Sequence, residues 1–114
     1  MSIDELEFKN EFVITANEKE LRIQFGWHYL FNKYKDDNQE FTVCIITTQR
    51  LSDGIWFGVA LRSPKDYKDN FLLAKKIALR RAIHSFVIGH YRYDYWKEKK
   101  QEIWREVFEA LKDA

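Results

Sequence analysis

Residues 75–86 concentrate positive charge on a segment whose spacing indicates a helix. The charged or titratable side chains are Lys75, Lys76, Arg80, Arg81 and His84. No aspartate or glutamate occurs between residues 75 and 86, so the helix itself offers these cations no i,i+4 partner. Such uncompensated cations can bind a phosphate group or an acidic protein surface. The alternative is an ordinary solvated helix face.

A second candidate is the aromatic cluster YRYDYW at residues 91–96, where two predicted helices meet. Tyr93 and Trp96 can sandwich a nucleobase while Arg92 contacts a phosphate. Alternatively, the cluster clamps the turn between the helices, because large aromatic side chains usually serve packing.

Lys75 differs from the other cations because it falls inside the apolar arc of the predicted helix. Its stem either crosses the apolar surface to reach solvent, or its ammonium faces an anionic group at a pocket or interface. Leu73 and Ile77 are apolar residues on the outer face of the same helix, and together with the aromatic excess they predict a homodimer. Trp27 and Tyr29, on a strand, are further candidates for an interface or for stacking on bases.

Metal-binding and catalytic motifs are not found in the sequence. His28, His84, His90 and Cys44 are too scattered for a zinc-binding spacing. A glycine-rich phosphate loop, HExxH and GxSxG are all missing. The sequence therefore predicts no metal and no cofactor, and it favours a protein without enzymatic activity.

The composition indicates one domain of 114 residues with a net charge of +1, from 19 Lys and Arg against 18 acids. That balance argues against a protein that coats DNA and against an acidic DNA mimic. Aromatic residues form 17% of the chain, and they either fill the core of a small domain or form an association surface. With one cysteine and no apolar run of membrane-spanning length, we expect a soluble cytoplasmic protein without disulfides.

Alternating apolar and polar residues predict four antiparallel strands over residues 11–62. The period of two is clearest over residues 21–31. Gly54 supplies the turn of a hairpin. Small residues at Gly58 and Ala60 predict that a helix packs closely on the fourth strand.

Two helices are predicted after the sheet. Ser63, Pro64 and Asp66 form a helix start, and this helix should run over about residues 64–87 and stop at Gly89. The second helix should cover about residues 93–112. Its apolar stripe comprises Trp96, Ile103, Val107, Ala110 and Leu111. The predicted fold class is α+β, a four-stranded antiparallel meander followed by two C-terminal helices.

The junction between the fourth strand and the first helix resembles a pattern in small accessory proteins of bacteriophages. There, a Ser-Pro-x-Asp turn leads into a helix with paired lysines and spaced alanines. The matching residues are Ser63, Pro64, Asp66, Phe71, Lys75, Lys76, Ala78, Arg81 and Ala82. The match covers about a quarter of the chain, and the Gly-Arg pair usual in that helix is absent or displaced. Phage proteins of similar layout include the Thoeris anti-defence family, which sequesters a cyclic ADP-ribose-type signal.

The residues and the resemblance together predict a non-enzymatic counter-defence protein that acts by binding. It would capture a nucleotide second messenger or block a host defence protein, such as a CRISPR or Thoeris component, through the basic helix and the cluster at residues 91–96. The alternative is a nucleic-acid-binding accessory protein, in which the basic helix contacts phosphates and Trp27 or Tyr29 stacks on bases.

Overall fold

Four antiparallel strands form one sheet with the neighbour order β1-β2-β3-β4, which confirms the predicted meander. The computed structural model describes residues 10–16, 19–33, 37–50, 53–61 and 71–112. The strands are β1 (Glu11–Ala16), β2 (Lys19–Asn32), β3 (Asp37–Thr48) and β4 (Ile55–Leu61). Gly54, just before β4, has a φ of +112°, the left-handed conformation that the predicted hairpin turn requires.

The alternation along each strand places one set of side chains in the core. This buried face carries Phe12, Ile14, Ala16, Leu21, Ile23, Phe25, Thr42, Cys44, Ile46 and Ala60. Both helices pack on this face: α1 (Phe71–His90) lies over β3 and β4, and α2 (Trp96–Lys112) lies over β1. A 3₁₀ turn at Tyr93–Tyr95 joins the two helices.

The close approach of α1 to β4 confirms the prediction made from the small residues on that strand. A Cβ atom built on Gly58 would overlap the Ala78 carbonyl oxygen and the Ala82 nitrogen, and it would lie 2.7 Å from the Arg81 Cβ. Ala60, two residues further, is also buried. Glycine at position 58 therefore sets how near the helix axis lies to the sheet.

The prediction that α1 stops at Gly89 is wrong, because the helix continues to His90. Gly89 serves packing here: a Cβ atom on it would lie 3.1 Å from the Trp56 Nε1 atom. The Tyr91 backbone N–H also donates to the Val87 carbonyl oxygen at 3.0 Å, which continues the helical hydrogen bonding. The predicted helix start at Ser63, Pro64 and Asp66 lies outside the described residues.

The apolar stripe of α2 matches its prediction. Ile103, Val107 and Leu111 are buried, and Trp96 and Ala110 pack partly buried against the core. In the described part of the chain, neither helix combines the length and the apolar character needed to cross a membrane.

Candidate functional site

A cleft of about 420 Å³ opens between α1 and α2 on their outer side. We call it the basic cleft. Its lining residues are Arg80, Arg81, Ile83, His84, Lys100 and Trp104. Ile83 is fully buried and Trp104 is partly buried against the core, so the bottom of the cleft is apolar while its rim is positively charged. That combination suits a ligand with a flat apolar part and an anionic part.

An aromatic depression of about 570 Å³ adjoins the basic cleft. It is lined by Tyr93, Asp94, Trp96, Lys97, Lys100, Gln101 and Trp104. Lys100 and Trp104 belong to both cavities, so the two form one continuous surface along the helix pair.

Helical spacing explains why these residues meet. On α1, Arg80 and His84 are four residues apart and share a face. On α2, Lys97, Lys100 and Trp104 follow a spacing of three and four, which puts them along one side of the helix. Lys100 and Trp104 meet the α1 residues in the basic cleft. The buried stripe of α2 fixes that orientation, because Lys100 lies three residues before Ile103 and Trp104 lies three residues before Val107, so both border the buried face.

The charged residues that line the basic cleft, Arg80, Arg81 and Lys100, are all cations. Among the described residues, no carboxylate lies within ion-pair distance of Arg80, Arg81 or Lys100. The Arg81 Nη1 atom donates to the Val59 carbonyl oxygen at 2.6 Å, which holds this guanidinium against the β4 backbone. Of the described residues that line the two cavities, Asp94 is the one acid.

The aromatic cluster at residues 91–96 clamps the turn between the helices. The Trp96 Nε1 atom donates to the Tyr91 carbonyl oxygen at 2.8 Å. The Trp96 ring meets Tyr93 edge-on with ring centroids 4.9 Å apart, and it meets His84 with centroids 6.0 Å apart. Tyr93 itself is 76% exposed. Trp96 therefore packs in the turn between the helices, as the second interpretation of the cluster predicted, whereas the Tyr93 ring is accessible to a ligand.

Lys75 lies away from the basic cleft, between α1 and the sheet. Its side chain is buried, and its Nζ atom donates to Asn10 Oδ1 at 3.0 Å. The same ammonium lies 5.6 Å from the Phe25 ring centroid and 5.4 Å from that of Trp27. These contacts give Lys75 a packing role through hydrogen bonding and cation–π attraction.

The other predicted binding residues divide into two groups. Arg80, Arg81 and His84 meet in the basic cleft, and Tyr93 and Trp96 meet in the aromatic depression. Lys76 and Arg92 do not line either cavity: Lys76 is partly buried and already engaged, and Arg92 is the exposed residue before the 3₁₀ turn.

The predicted interface residues differ in how exposed their side chains are. Leu73 is 46% exposed, as expected for the outer face of α1. The outward placement of Ile77 is wrong, because it packs partly buried against the core. Trp27 lies on the helix side of the sheet with the Lys75 ammonium over its ring, so this face of the ring is not an open stacking platform. The side chain of Tyr29 lies outside the described residues.

The sequence analysis missed Lys100 and Trp104 of the basic cleft and Lys97 of the aromatic depression. Their spacing along α2 carried the signal, since residues three and four apart share a helix face. Lys100 and Trp104 lie three residues before Ile103 and Val107, so the apolar stripe of α2 already indicated that both border its buried face.

Neither a metal-binding group nor an activated thiol is found among the described residues. They contain no group of histidine, cysteine, aspartate and glutamate side chains that could hold a metal ion. Cys44 is fully buried in the sheet, and burial raises the pKa of its thiol to about 12. The thiol therefore stays protonated near neutral pH and is a poor nucleophile.

No protein-family model, curated protein or solved structure matches this chain. The resemblance to phage accessory proteins thus remains a prediction. The arguments for function come from the basic cleft and the aromatic depression themselves.

Proposed function

We propose that this protein acts by binding rather than by catalysis, and that the basic cleft captures a phosphate-bearing ligand of the nucleotide class. One observation carries the proposal: Arg80, Arg81 and Lys100 line a cleft with an apolar floor, with no carboxylate in ion-pair range among the described residues. Guanidinium and ammonium groups are the usual protein partners of phosphate.

The aromatic side chains next to the cations supply the second half of a nucleotide site. Trp104 lies at the junction of the two cavities, and the exposed Tyr93 ring stands at the far side of the aromatic depression. Stacking of one base on a ring contributes about 1–3 kcal/mol, and each hydrogen bond to a charged group about 1.5–3 kcal/mol. Two such bonds with one stacked base correspond to a Kd between millimolar and micromolar.

The biological role we propose is counter-defence in the cytoplasm of an infected bacterium. Support comes from the resemblance of the strand-to-helix junction to phage accessory proteins. Phage proteins of similar layout include the Thoeris anti-defence family, which sequesters a cyclic ADP-ribose-type signal. Sequestration requires binding without bond cleavage, which suits a site built from cations and rings.

Isothermal titration of the full chain with a cyclic ADP-ribose, cyclic dinucleotides, AMP and inorganic phosphate tests the proposal. We expect nucleotides to bind more tightly than phosphate, because the rings add to the charge contacts. Lys100→Glu should weaken binding at least tenfold, since it reverses the one charge shared by both cavities. Arg105→Glu is the matched control, because Arg105 is exposed on α2 and lines neither cavity. A folded protein that binds none of these ligands would rule the proposal out.

Nucleic-acid binding remains the alternative. A gel shift that weakens steeply with salt would support it, because phosphate contacts release counterions. The position of Trp27 beneath the Lys75 ammonium weighs against the predicted stacking on that ring. Blocking of a host defence protein would instead appear as a stable complex with that protein and no nucleotide binding.

A further inference from the structure

The side of the sheet opposite the helices carries a continuous apolar surface on β3 and β4. Three of its side chains are strongly exposed: Ile55 at 57%, Phe57 at 61% and Leu61 at 63%. Val43, Ile45 and Val59 are partly buried beside them. We call these six residues the apolar face.

Strand register makes the apolar face contiguous. In the antiparallel pair, Phe57 stands opposite Ile45 and Val59 stands opposite Val43. Directly opposite residues in such a pair have Cβ atoms about 5 Å apart. Ile55 and Leu61 extend the same row along β4, since residues two apart point to one side of a strand.

The six side chains form an uncharged centre with polar residues beside it. On the same side of the sheet, β1 and β2 present the ion pair between Glu11 and Arg22, with Nε and Oε1 3.4 Å apart. None of the six side chains of the apolar face is charged, so two copies of it brought together about a twofold axis place no charges opposite each other within the face. Such self-complementarity is the condition for an isologous dimer.

The size of the surface fits the same partner. A large apolar side chain exposes on the order of 200 Å² when free, so three at roughly 60%, with their partly buried neighbours, present on the order of 500 Å². A standard interface buries about 800 Å² per partner, and about 65% of a homodimer interface is apolar. These values require about 520 Å² of apolar surface from each copy.

We propose that the apolar face is the interface of a homodimer in which two sheets pack face to face. The helices then lie on the two outer sides, in the layered arrangement known from sheet sandwiches. The outer surface of α1 fits a second copy less well. Leu73 is apolar there, but Arg80 follows along the same helix, and pairing two such surfaces brings cations together.

Sedimentation equilibrium of the full chain at 1–200 μM tests this interface. We expect the wild type to form a dimer with a Kd in the micromolar range or tighter, as interfaces of this size do. Phe57→Lys should raise that Kd at least about 100-fold, because a twofold axis places two copies of the substitution in the interface. Leu73→Lys is the matched control on α1 and should leave the dimer unchanged.

Phe57→Thr tests the same contact if the lysine variant folds poorly, because the substitution removes the ring and threonine has a high strand propensity. It should also shift the equilibrium toward monomer by at least tenfold. A wild type that stays monomeric at 200 μM overturns the proposal. So does a dimer that Leu73→Lys disrupts while both Phe57 variants leave it intact, since that result would place the interface on α1.

Discussion

Replacing Gly58 with alanine tests the contact on which the packing of α1 depends. The added methyl group would overlap the Ala78 carbonyl oxygen and the Ala82 nitrogen, both of which belong to the helix backbone. Backbone atoms cannot rotate out of the way as the end of a long side chain can. The helix must therefore move away from β4, or the strand must bend.

The size of the shift follows from the distances. Ordinary carbon contacts begin at about 3.5 Å, and the new Cβ would lie 2.7 Å from the Arg81 Cβ, so α1 must retreat by roughly 1 Å. Overpacking of a core costs about 1–3 kcal/mol. Because two of the three clashing atoms are backbone, we expect Gly58→Ala to lower the free energy of unfolding by about 3 kcal/mol. That is a large part of the about 5–15 kcal/mol that stabilises a typical domain.

Urea unfolding followed by tryptophan fluorescence and circular dichroism measures this loss. Gly26→Ala is the matched control, because a Cβ atom on Gly26 would meet nothing within 4 Å. There we expect a gain of about 0.5 kcal/mol, since alanine restricts the unfolded chain more than glycine does. Both variants should be compared with the wild type at one protein concentration, because association changes apparent stability. If Gly58→Ala costs no more than Gly26→Ala, α1 does not lie against β4 as described.

Two further predictions concern buried groups. The folded Cys44 thiol should resist thiol reagents. Because burial raises its pKa from 9.0 to about 12, the unfolded chain binds fewer protons than the folded chain between pH 9 and pH 12. The free energy of unfolding should therefore fall by up to about 1.4 kcal/mol per pH unit above pH 9. Urea unfolding of Cys44→Ala should lack this added slope, and an unchanged slope would contradict the burial argument. Trp96→Phe removes the hydrogen bond to the Tyr91 carbonyl and should cost about 1 kcal/mol in the same assay, whereas no change would mean that the indole N–H does not hold the turn.

The sheet could be predicted from sequence because its signals are local. Two of these signals are the alternation of apolar and polar residues along β2 and the glycine at position 54. Each can be recognised from a few consecutive residues. The small size of Gly58 also predicted the close helix, because a strand position without a side chain allows another backbone to approach closely. These features need no knowledge of the distant parts of the chain.

The site was only half predictable because it depends on how the two helices pack together. Arg80 and His84 were found from the charge of α1 alone, whereas Lys100 and Trp104 become cleft residues only when α2 turns one flank toward α1. Ile77 was misplaced for a related reason. A helix that contacts both a sheet and a second helix buries a wider arc than a simple two-sided pattern suggests.

The position of α2 over β1 has a consequence during protein synthesis. Because α1 covers β3 and β4, that half of the sheet can be packed as soon as His90 has left the ribosome. The apolar side of β1, with Phe12, Ile14 and Ala16, has no such cover until α2 has been translated. Nascent chains that end before Trp96 should therefore expose this strand and bind chaperones, and release should follow once Leu111 emerges and the last helix docks.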